Sequence, residues 1–388
     1  MSGRRDFTVR CTACAAPATY PAYRCDRCGG PLVLDLAPLG PADHRPGPGV
    51  GAWRYAGMLP RTRHAVSLGE GGTPLVPLPR GQSTLYAKLE SLNPSLSFKD
   101  RAMAVAAATA LDLGLGGLVL ASSGNAAVSA ATYAAAAGLR CRIYCATGSN
   151  AQAKLDVARA HGATVELVDG HYSDAYARAV EAEEGGWLNV TTTYRNPLLA
   201  EAYRPVAAEL VERLGAAPDA VVVPIGAGPL LHGVLRGFED LRAAGVTSAV
   251  PRMVGVQAAA CAPLARAWRS PDWRAALAEP VAVGPTAAAA IADALRGYAD
   301  EGLLTLAAVR DSGGTVVAVD EARIAAATAD LARRGLLVEP AAATALAALD
   351  DPAVARLTGP GSAARVVLML TGHGAKEPAA FRSAGGAS

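Results

Sequence analysis

From Leu85 onward, short β-branched apolar runs alternate with alanine-rich stretches of helical length, and no other feature limits the fold as tightly. STLYAKLE reads as a strand and FKDRAMAVAAATALDLG as a helix closed by Gly114. GLVLASS is a short buried strand running into a helix from Gly124 to Ala137. RCRIYCA, a helix near Gln152–His161, ATVELVDG and a helix near Asp174–Glu184 continue the pattern, and a further helix covers Leu198–Leu214. AVVVPIG, a helix from Leu230, PRMVGVQAA, GTVVAVD, a helix from Asp320 to Arg334, EPAAATALAAL and ARVVLMLTG follow, with an Ala/Pro-rich stretch before residue 312 that gives no clear division. Apolar strands separated by helices build parallel βαβ units covered on both faces. The expected class is α/β, with ligands held at the carboxyl ends of strands, where strand turns into helix.

A chain of 388 residues has room for two or three domains. Its net charge of +2, with 18% charged residues, argues against a nucleic-acid partner, which would call for a concentrated basic surface. Arg4, Arg5, Arg10, Arg24 and Arg27 make the first segment basic, and they read as a solvated face. The opening MSGRRDFTVRC carries no apolar leader, and no apolar run reaches the roughly 20 residues of a membrane span. The expectation is a soluble, cytoplasmic protein without a membrane partner.

The cysteines divide into two groups. Cys11, Cys14, Cys25 and Cys28 form C-x2-C-x10-C-x2-C, paired knuckles that favour a structural zinc held by four thiolates, with RCDRCGGP supplying the glycine turn. Cys141, Cys145 and Cys261 sit in or beside apolar runs and read as small buried hydrophobes. Residues 1–40 form the ribbon-like module, and APLGPADHRPGPGVG reads as a linker.

Only four of the 36 basic residues are lysines: Lys88, Lys99, Lys154 and Lys376. Arginine has taken over the solvated-face work, so a lysine in a Gly/Ser-rich turn draws attention; Lys154, in a helical stretch, fits a surface cation. Lys99 ends Asn93-Pro94-Ser95-Leu96-Ser97-Phe98-Lys99 at the mouth of a helix, where the positive helix end disfavours an ammonium and favours a nucleophilic amine. Ser122-Ser123-Gly124-Asn125 opens the next helix and suits a carboxylate, with Ser123 as its expected N-cap. Gly226-Ala227-Gly228-Pro229-Leu230 follows a buried strand and is a phosphate cradle in general terms, without the spacing of a dinucleotide or P-loop motif. Thr371-Gly372-His373-Gly374 follows the last strand, where a hydroxyl can meet a pyridine nitrogen. An amine for an aldehyde, a carboxylate site and a phosphate cradle together suggest pyridoxal 5′-phosphate acting on an amino acid.

SLGEGGTPLV, LYAKLESLNPSLSFKDR, ASSGNAAVSAATYAAAAG, VVVPIGAGPLLHGVLRGFEDL and LTGHGAK together resemble the threonine synthase family, pyridoxal-phosphate enzymes of the tryptophan-synthase-β type (fold type II). The resemblance covers nearly the whole chain. It implies two open, mostly parallel sheets flanked by helices, with the cofactor between domains, and a homodimer. The division it implies is 41–95 with 206–388 as a large domain and 96–205 as a small one. Lys99 resembles the Schiff-base lysine, with Phe98 beside the ring. Asn125 matches the partner of the phenolic oxygen; Gly226, Ala227, Gly228 and Leu230 the phosphate loop; and Thr371 the hydroxyl facing the pyridine nitrogen. Ser122 and Ser123 lie where the substrate carboxylate docks.

The family's substrate-phosphate segment typically reads N-P-Y-R-x-E-G-x-K-T. Here it is Asn196-Pro197-Leu198-Leu199-Ala200-Glu201-Ala202-Tyr203-Arg204-Pro205, with Leu199 and Arg204 in place of arginine and lysine and Arg195 just upstream as a substitute anion contact. The family's E-P-S-S-A is Glu339-Pro340-Ala341-Ala342-Ala343, without its hydroxyls. Two readings stand: O-phosphohomoserine plus water to threonine, or β-replacement or elimination on an O-activated serine-type substrate, like cysteate synthases and dehydratases. A catalytically silent relative would dispense with Lys99, the turn serines or the glycines, and all are present.

Overall fold

The structure, a computed structural model, describes residues 5–40, 42–80, 83–147, 152–170, 172–191, 194–358 and 364–381; Arg4 lies outside them. The strands are β1 (Phe7–Cys11), β2 (Pro17–Ala18), β3 (Leu32–Leu36), β4 (Leu75–Arg80), β5 (Ser83–Lys88), β6 (Gly117–Ala121), β7 (Arg140–Ala146), β8 (Thr164–Val168), β9 (Trp187–Asn189), β10 (Ala220–Pro224), β11 (Arg252–Ala258), β12 (Thr315–Val319) and β13 (Arg365–Met369). The helices are α1 (Lys99–Asp112), α2 (Asn125–Ala136), α3 (Gln152–Ala160), α4 (Tyr172–Glu181), α5 (Leu198–Glu201), α6 (Pro205–Leu214), α7 (Pro229–Ala243), α8 (Pro263–Trp268), α9 (Trp273–Ala278), α10 (Gly302–Asp311), α11 (Glu321–Arg333), α12 (Pro340–Ala347) and α13 (Pro352–Thr358).

The chain forms two compact units, Met1–Gly72 with Asn93–Ala208, and Thr73–Leu92 with Glu209–Ser388. In the first, β1 pairs antiparallel with β2 and β3 in a small sheet, and a wholly parallel sheet runs β8-β7-β6-β9. The second has a six-stranded sheet, β12-β11-β10-β13-β5-β4, parallel except for the edge pair β4–β5. Every residue of β6 and β10 is buried, as parallel strands covered on both faces require. The alternation predicted from sequence is therefore the architecture.

The placement of residues 41–72 differs from the expected division: they belong with the first unit. Ala52 N–H donates to the Glu70 carbonyl (2.5 Å), Trp53 Nε1–H to the Val66 carbonyl (2.9 Å), and Gly71 N–H to Asn93 Oδ1 (2.8 Å). Arg5 N–H donates to the Leu59 carbonyl and Arg61 N–H to the Arg5 carbonyl (3.1 and 2.8 Å), tying this segment to the ribbon as well. Arg5 is itself buried, not part of a solvated face.

The helix expected over Leu198–Leu214 is two, α5 and α6, because Pro205 has no N–H to continue the ladder and disfavours helical backbone at Arg204. The stretch before 312 resolves into α8, started by Pro263 at its first turn, α9, capped by the Asp272 side chain on Ala275 N–H (3.0 Å), and α10. β4, unassigned from sequence, carries Pro77 and Pro79, two apart, which an edge strand tolerates because its outer N–H groups need no partner. Its partner β5 carries Lys88, which is fully buried: the ammonium donates to Glu209 and to the Thr73 carbonyl (2.7 Å). Lys154 is also buried, on α3, rather than on the surface.

Removing one member of a buried pair strands the other charge. Lys88→Met should lower the unfolding free energy in urea by about 3–5 kcal/mol, and adding Glu209→Met should recover most of that loss.

Candidate active site

Lys99 is the first residue of α1, and its Nζ sits 4.5 Å from the centre of the Phe98 ring. The turn before it is strained: Leu96 holds φ +64, a left-handed conformation that a bulky residue rarely adopts. Asp100, fully buried, holds this turn. Its carboxylate accepts from Ser95 N–H (2.6 Å), from Ser95 Oγ–H and from Ser129 Oγ–H of α2 (2.5 Å). Sequence reading missed Asp100 and Ser129, because an acidic residue in a first helical turn ordinarily signals only helix-end electrostatics.

Beneath the turn lies a second buried carboxyl, Glu70. It accepts from Ser67 Oγ–H (3.1 Å), Leu68 N–H (3.0 Å) and Tyr133 Oη–H (2.8 Å), while its Oε1 has no hydrogen-bond partner among the described residues. Burial pushes the Glu70 carboxyl above the ordinary range, against the pull of these donors. The adjoining Gly71, at φ +85, is obligatory: a Cβ there would lie 2.6 Å from Ala52 N and 2.9 Å from Arg101 Nη1.

In the parallel sheet of this unit, β6 leads to β7 on one side, while its other neighbour β9 is reached later in the chain. The β6–α2 turn therefore sits at a topological switch point, where α/β sheets bind ligands. Ser122 Oγ accepts from Gly124 N–H (3.0 Å), Ala121 N–H donates to Thr191 Oγ1 (3.1 Å), and Asn125 is buried. The N-cap is Gly124, without a side-chain cap; Ser123, expected to cap, does not. The helix start is thereby left to its backbone, as an anion site needs.

The second unit repeats the logic. β10 leads through α7 to β11, and its other neighbour is β13, so the switch point lies between β10 and β13. Both turns singled out from sequence leave these two strands: Gly226–Leu230 after β10 and Thr371 after β13. α7 has no side-chain cap, and its N-cap Gly228 lies at φ +103. A Cβ on Gly228 would lie 2.4 Å from Thr305 Oγ1, which itself donates to the Ala227 carbonyl (2.5 Å). Gln257, fully buried, donates from Nε2 to the Gly226 carbonyl (3.3 Å) and accepts at Oε1 from Leu264 and Ala265 N–H (2.9 and 3.1 Å). A glycine-lined, uncapped helix mouth fits a phosphate group, and the missing N–H of Pro229 removes one donor from it. Ala341 and Ala342, at the positions of the family's two hydroxyls, are core residues of α12.

The ribbon cysteines converge: their four Sγ atoms lie within 4.8 Å of one another, Cys11–Cys28 at 3.5 Å, Cys14–Cys28 at 3.4 Å and Cys14–Cys25 at 3.7 Å. Thiolates around zinc, at bond lengths of about 2.3 Å, sit roughly 3.8 Å apart, so the set fits that ion. Gly30 makes room, since a Cβ there would lie 3.0 Å from Cys11 Sγ. Burial raises the Cys11 thiol, but amide donors at Cys14 and Ala13 and the neighbouring thiols outweigh it and bring it to about 7. Arg195 is engaged elsewhere than expected: its guanidinium is bidentate on Glu183 (2.5 and 2.6 Å). Arg204 is buried and paired with Glu201, and Leu199 is buried in α5. The segment 195–205 therefore directs no unpaired arginine toward a ligand through either of these pairs.

Gly228→Ala forces a side chain into left-handed backbone against Thr305. Its affinity for pyridoxal phosphate should fall about tenfold or more, read by titrating the visible absorbance of the loaded protein.

Residues 66–372 match the family described as pyridoxal-phosphate dependent enzyme. The chain is 32% identical over 396 residues to threonine synthase of Methanosarcina acetivorans, covering 96% of this chain and 93% of the relative. It is 36% identical over 351 residues to threonine synthase of Mycobacterium tuberculosis H37Rv, covering 87% and 91%. Among solved structures, maize serine racemase shares the fold, with a TM-score of 0.65 at 21% identity over 81% of this chain and 91% of that one. No helix among the described residues is long and apolar enough to cross a membrane. The chain belongs to the threonine synthase family and is a pyridoxal-phosphate-dependent lyase of threonine synthase-like function.

Proposed function

We propose that this chain converts O-phospho-L-homoserine and water into threonine and phosphate, with Lys99 as cofactor lysine and base. The observation that carries the reading is the Lys99 turn, strained at Leu96, held by Asp100 and set against the Phe98 ring. Bound pyridoxal phosphate supplies an electron sink for the carbanion left when the substrate's α-proton is removed. Lys99 Nζ would hold the cofactor and serve as the base that moves the substrate's α-proton. Ser122 and Ser123 would bind the substrate carboxylate. Asn125 and Thr371 would hold the cofactor by side-chain hydrogen bonds, Phe98 would pack beside it, and the backbone N–H groups of Gly226, Ala227, Gly228 and Leu230 would bind its phosphate. A hydroxyl at Thr371, in place of a carboxylate, would favour elimination and replacement over transamination. Arg195, the expected anion contact, has a bidentate partner in Glu183, and this weakens its claim to that role.

Cys11, Cys14, Cys25 and Cys28 hold a structural zinc in this reading: four thiolates leave no open coordination position. Thiols kept from disulfide bonding suit a reducing, cytoplasmic setting, and the family resemblance supports a homodimer. A second reading, β-replacement or elimination on an O-activated serine-type substrate, is favoured by the internal pairing of Arg195 and Arg204 and by buried Leu199, which leave the 195–205 segment short of contacts for a dianion.

The cofactor-loaded protein should release phosphate from O-phospho-L-homoserine and form threonine at roughly 1 per second or faster. A yellow protein that releases none would overturn the first reading, and turnover of O-phospho-L-serine would then establish the second. Lys99→Ala should lose the visible absorbance and at least about a thousandfold in turnover. Metal analysis should find about one zinc per chain, falling in Cys11→Ser.

A further inference from the structure

Among the ribbon's contacts with the rest of its unit are those of two tyrosines that precede the second cysteine knuckle. Tyr20 Oη–H donates to Asn196 Oδ1 (3.2 Å), and its ring meets Phe7 of β1 edge-on at 5.9 Å. Tyr23 Oη accepts from the backbone N–H of Asn189 (2.8 Å), and its ring lies 5.5 Å from the Arg195 guanidinium. The two asparagines are themselves joined: Asn196 Nδ2 donates to the Asn189 carbonyl (2.8 Å). Asn196 also starts α5, since its Oδ1 accepts from Leu198 N–H (3.2 Å) and its carbonyl from Leu199 N–H (3.2 Å).

From α5 the chain of contacts continues inward. α5 packs against α1 and against β3 of the ribbon. Tyr203, one turn on, sets its ring 5.5 Å from Phe98, whose other neighbour is Lys99 Nζ at 4.5 Å. Tyr20 and Tyr23 thus stand at one end of a continuous path of hydrogen bonds and ring contacts that ends at the lysine. Both tyrosines are half-buried, and desolvation of their hydroxyls raises both phenols above the ordinary range.

We propose that Tyr20 and Tyr23 are positioning residues, through which the four-cysteine ribbon holds Asn189, Asn196 and the 198–204 stretch and, with them, Phe98 and Lys99 in register. The ribbon is then more than a stabilising appendage: it sets the geometry of the lysine turn. The proposal rests on the reading of Lys99 as the cofactor lysine, and neither of its readouts uses a substrate.

Tyr20→Phe and Tyr23→Phe each remove one hydroxyl and keep the ring, so the fold is retained. In the full chain without cofactor, hydrogen exchange read by mass spectrometry should show protection of the 189–204 peptides falling about tenfold in the double variant, while α7 and α12 peptides stay at the wild-type rate. Cys28→Ser, at an exposed position, should loosen the same peptides. In the loaded protein, the pH midpoint of the visible absorbance should move by about half a unit or more in the double variant, which a merely stabilising contact would leave in place. Wild-type protection at 189–204 in the double variant, or an unmoved midpoint, sinks the proposal. Failure to release phosphate from O-phospho-L-homoserine would overturn the substrate reading alone, and retained colour in Lys99→Ala would overturn the lysine assignment alone.

Discussion

The carboxylate of Asp100 is the charge on which the lysine turn depends. It is fully buried, one residue past Lys99, and accepts from a backbone amide and two hydroxyls on two different elements. A buried carboxylate left without such donors would be costly, so the turn and α2 are obliged to present Ser95 and Ser129 to it. That obligation fixes the relation between α1, which starts with the lysine, and α2, which starts at the Ser122–Asn125 turn. The left-handed backbone of Leu96, a strain of about 1–3 kcal/mol, persists because these bonds over-determine the loop around it.

Charge is handled the same way elsewhere. Lys88 with Glu209, Arg204 with Glu201 and Arg195 with Glu183 each neutralise one another within a single unit. Such pairs add little net stability over apolar packing, but they select one arrangement, because any other strands a charge. The same pairing explains why two arginines that look available in the sequence are not open anion contacts.

The layered α/β organisation was legible because parallel strands buried on both faces must be written as continuous apolar runs, and GLVLA, AVVVP and RVVLM are such runs. The glycine-rich and serine-rich turns were legible as strand-to-helix junctions, because small residues mark where an apolar run stops and the next helix starts. The C-x2-C spacing announced its own convergence, since short loops cannot carry the cysteines far apart. What sequence could not reveal was pairing across distance. Asp100 and Ser129, Glu70 and Tyr133, and Gln257 bridging Gly226 to α8 are ordinary polar residues until the fold brings them together. Residues 41–72 were misplaced for the same reason, because their ties to Asn93 and to the ribbon are long-range hydrogen bonds with no local pattern. The break at Pro205 was visible as a residue, yet the helical periodicity on both sides of it concealed two helices.

The scarcity of lysine has a practical corollary. Lys88 and Lys154 are buried, Lys99 and Lys376 are half-buried, and none of the four is fully exposed. The folded protein therefore presents hardly any side-chain primary amine to bulk solvent, and guanidinium groups carry nearly all of its outward positive charge. Acylating or aldehyde reagents that modify most proteins at dozens of surface points meet here a chain with very few targets. One of those few is Lys99, the lysine at the start of α1, so labelling of this chain by such reagents concentrates on a very short list of positions.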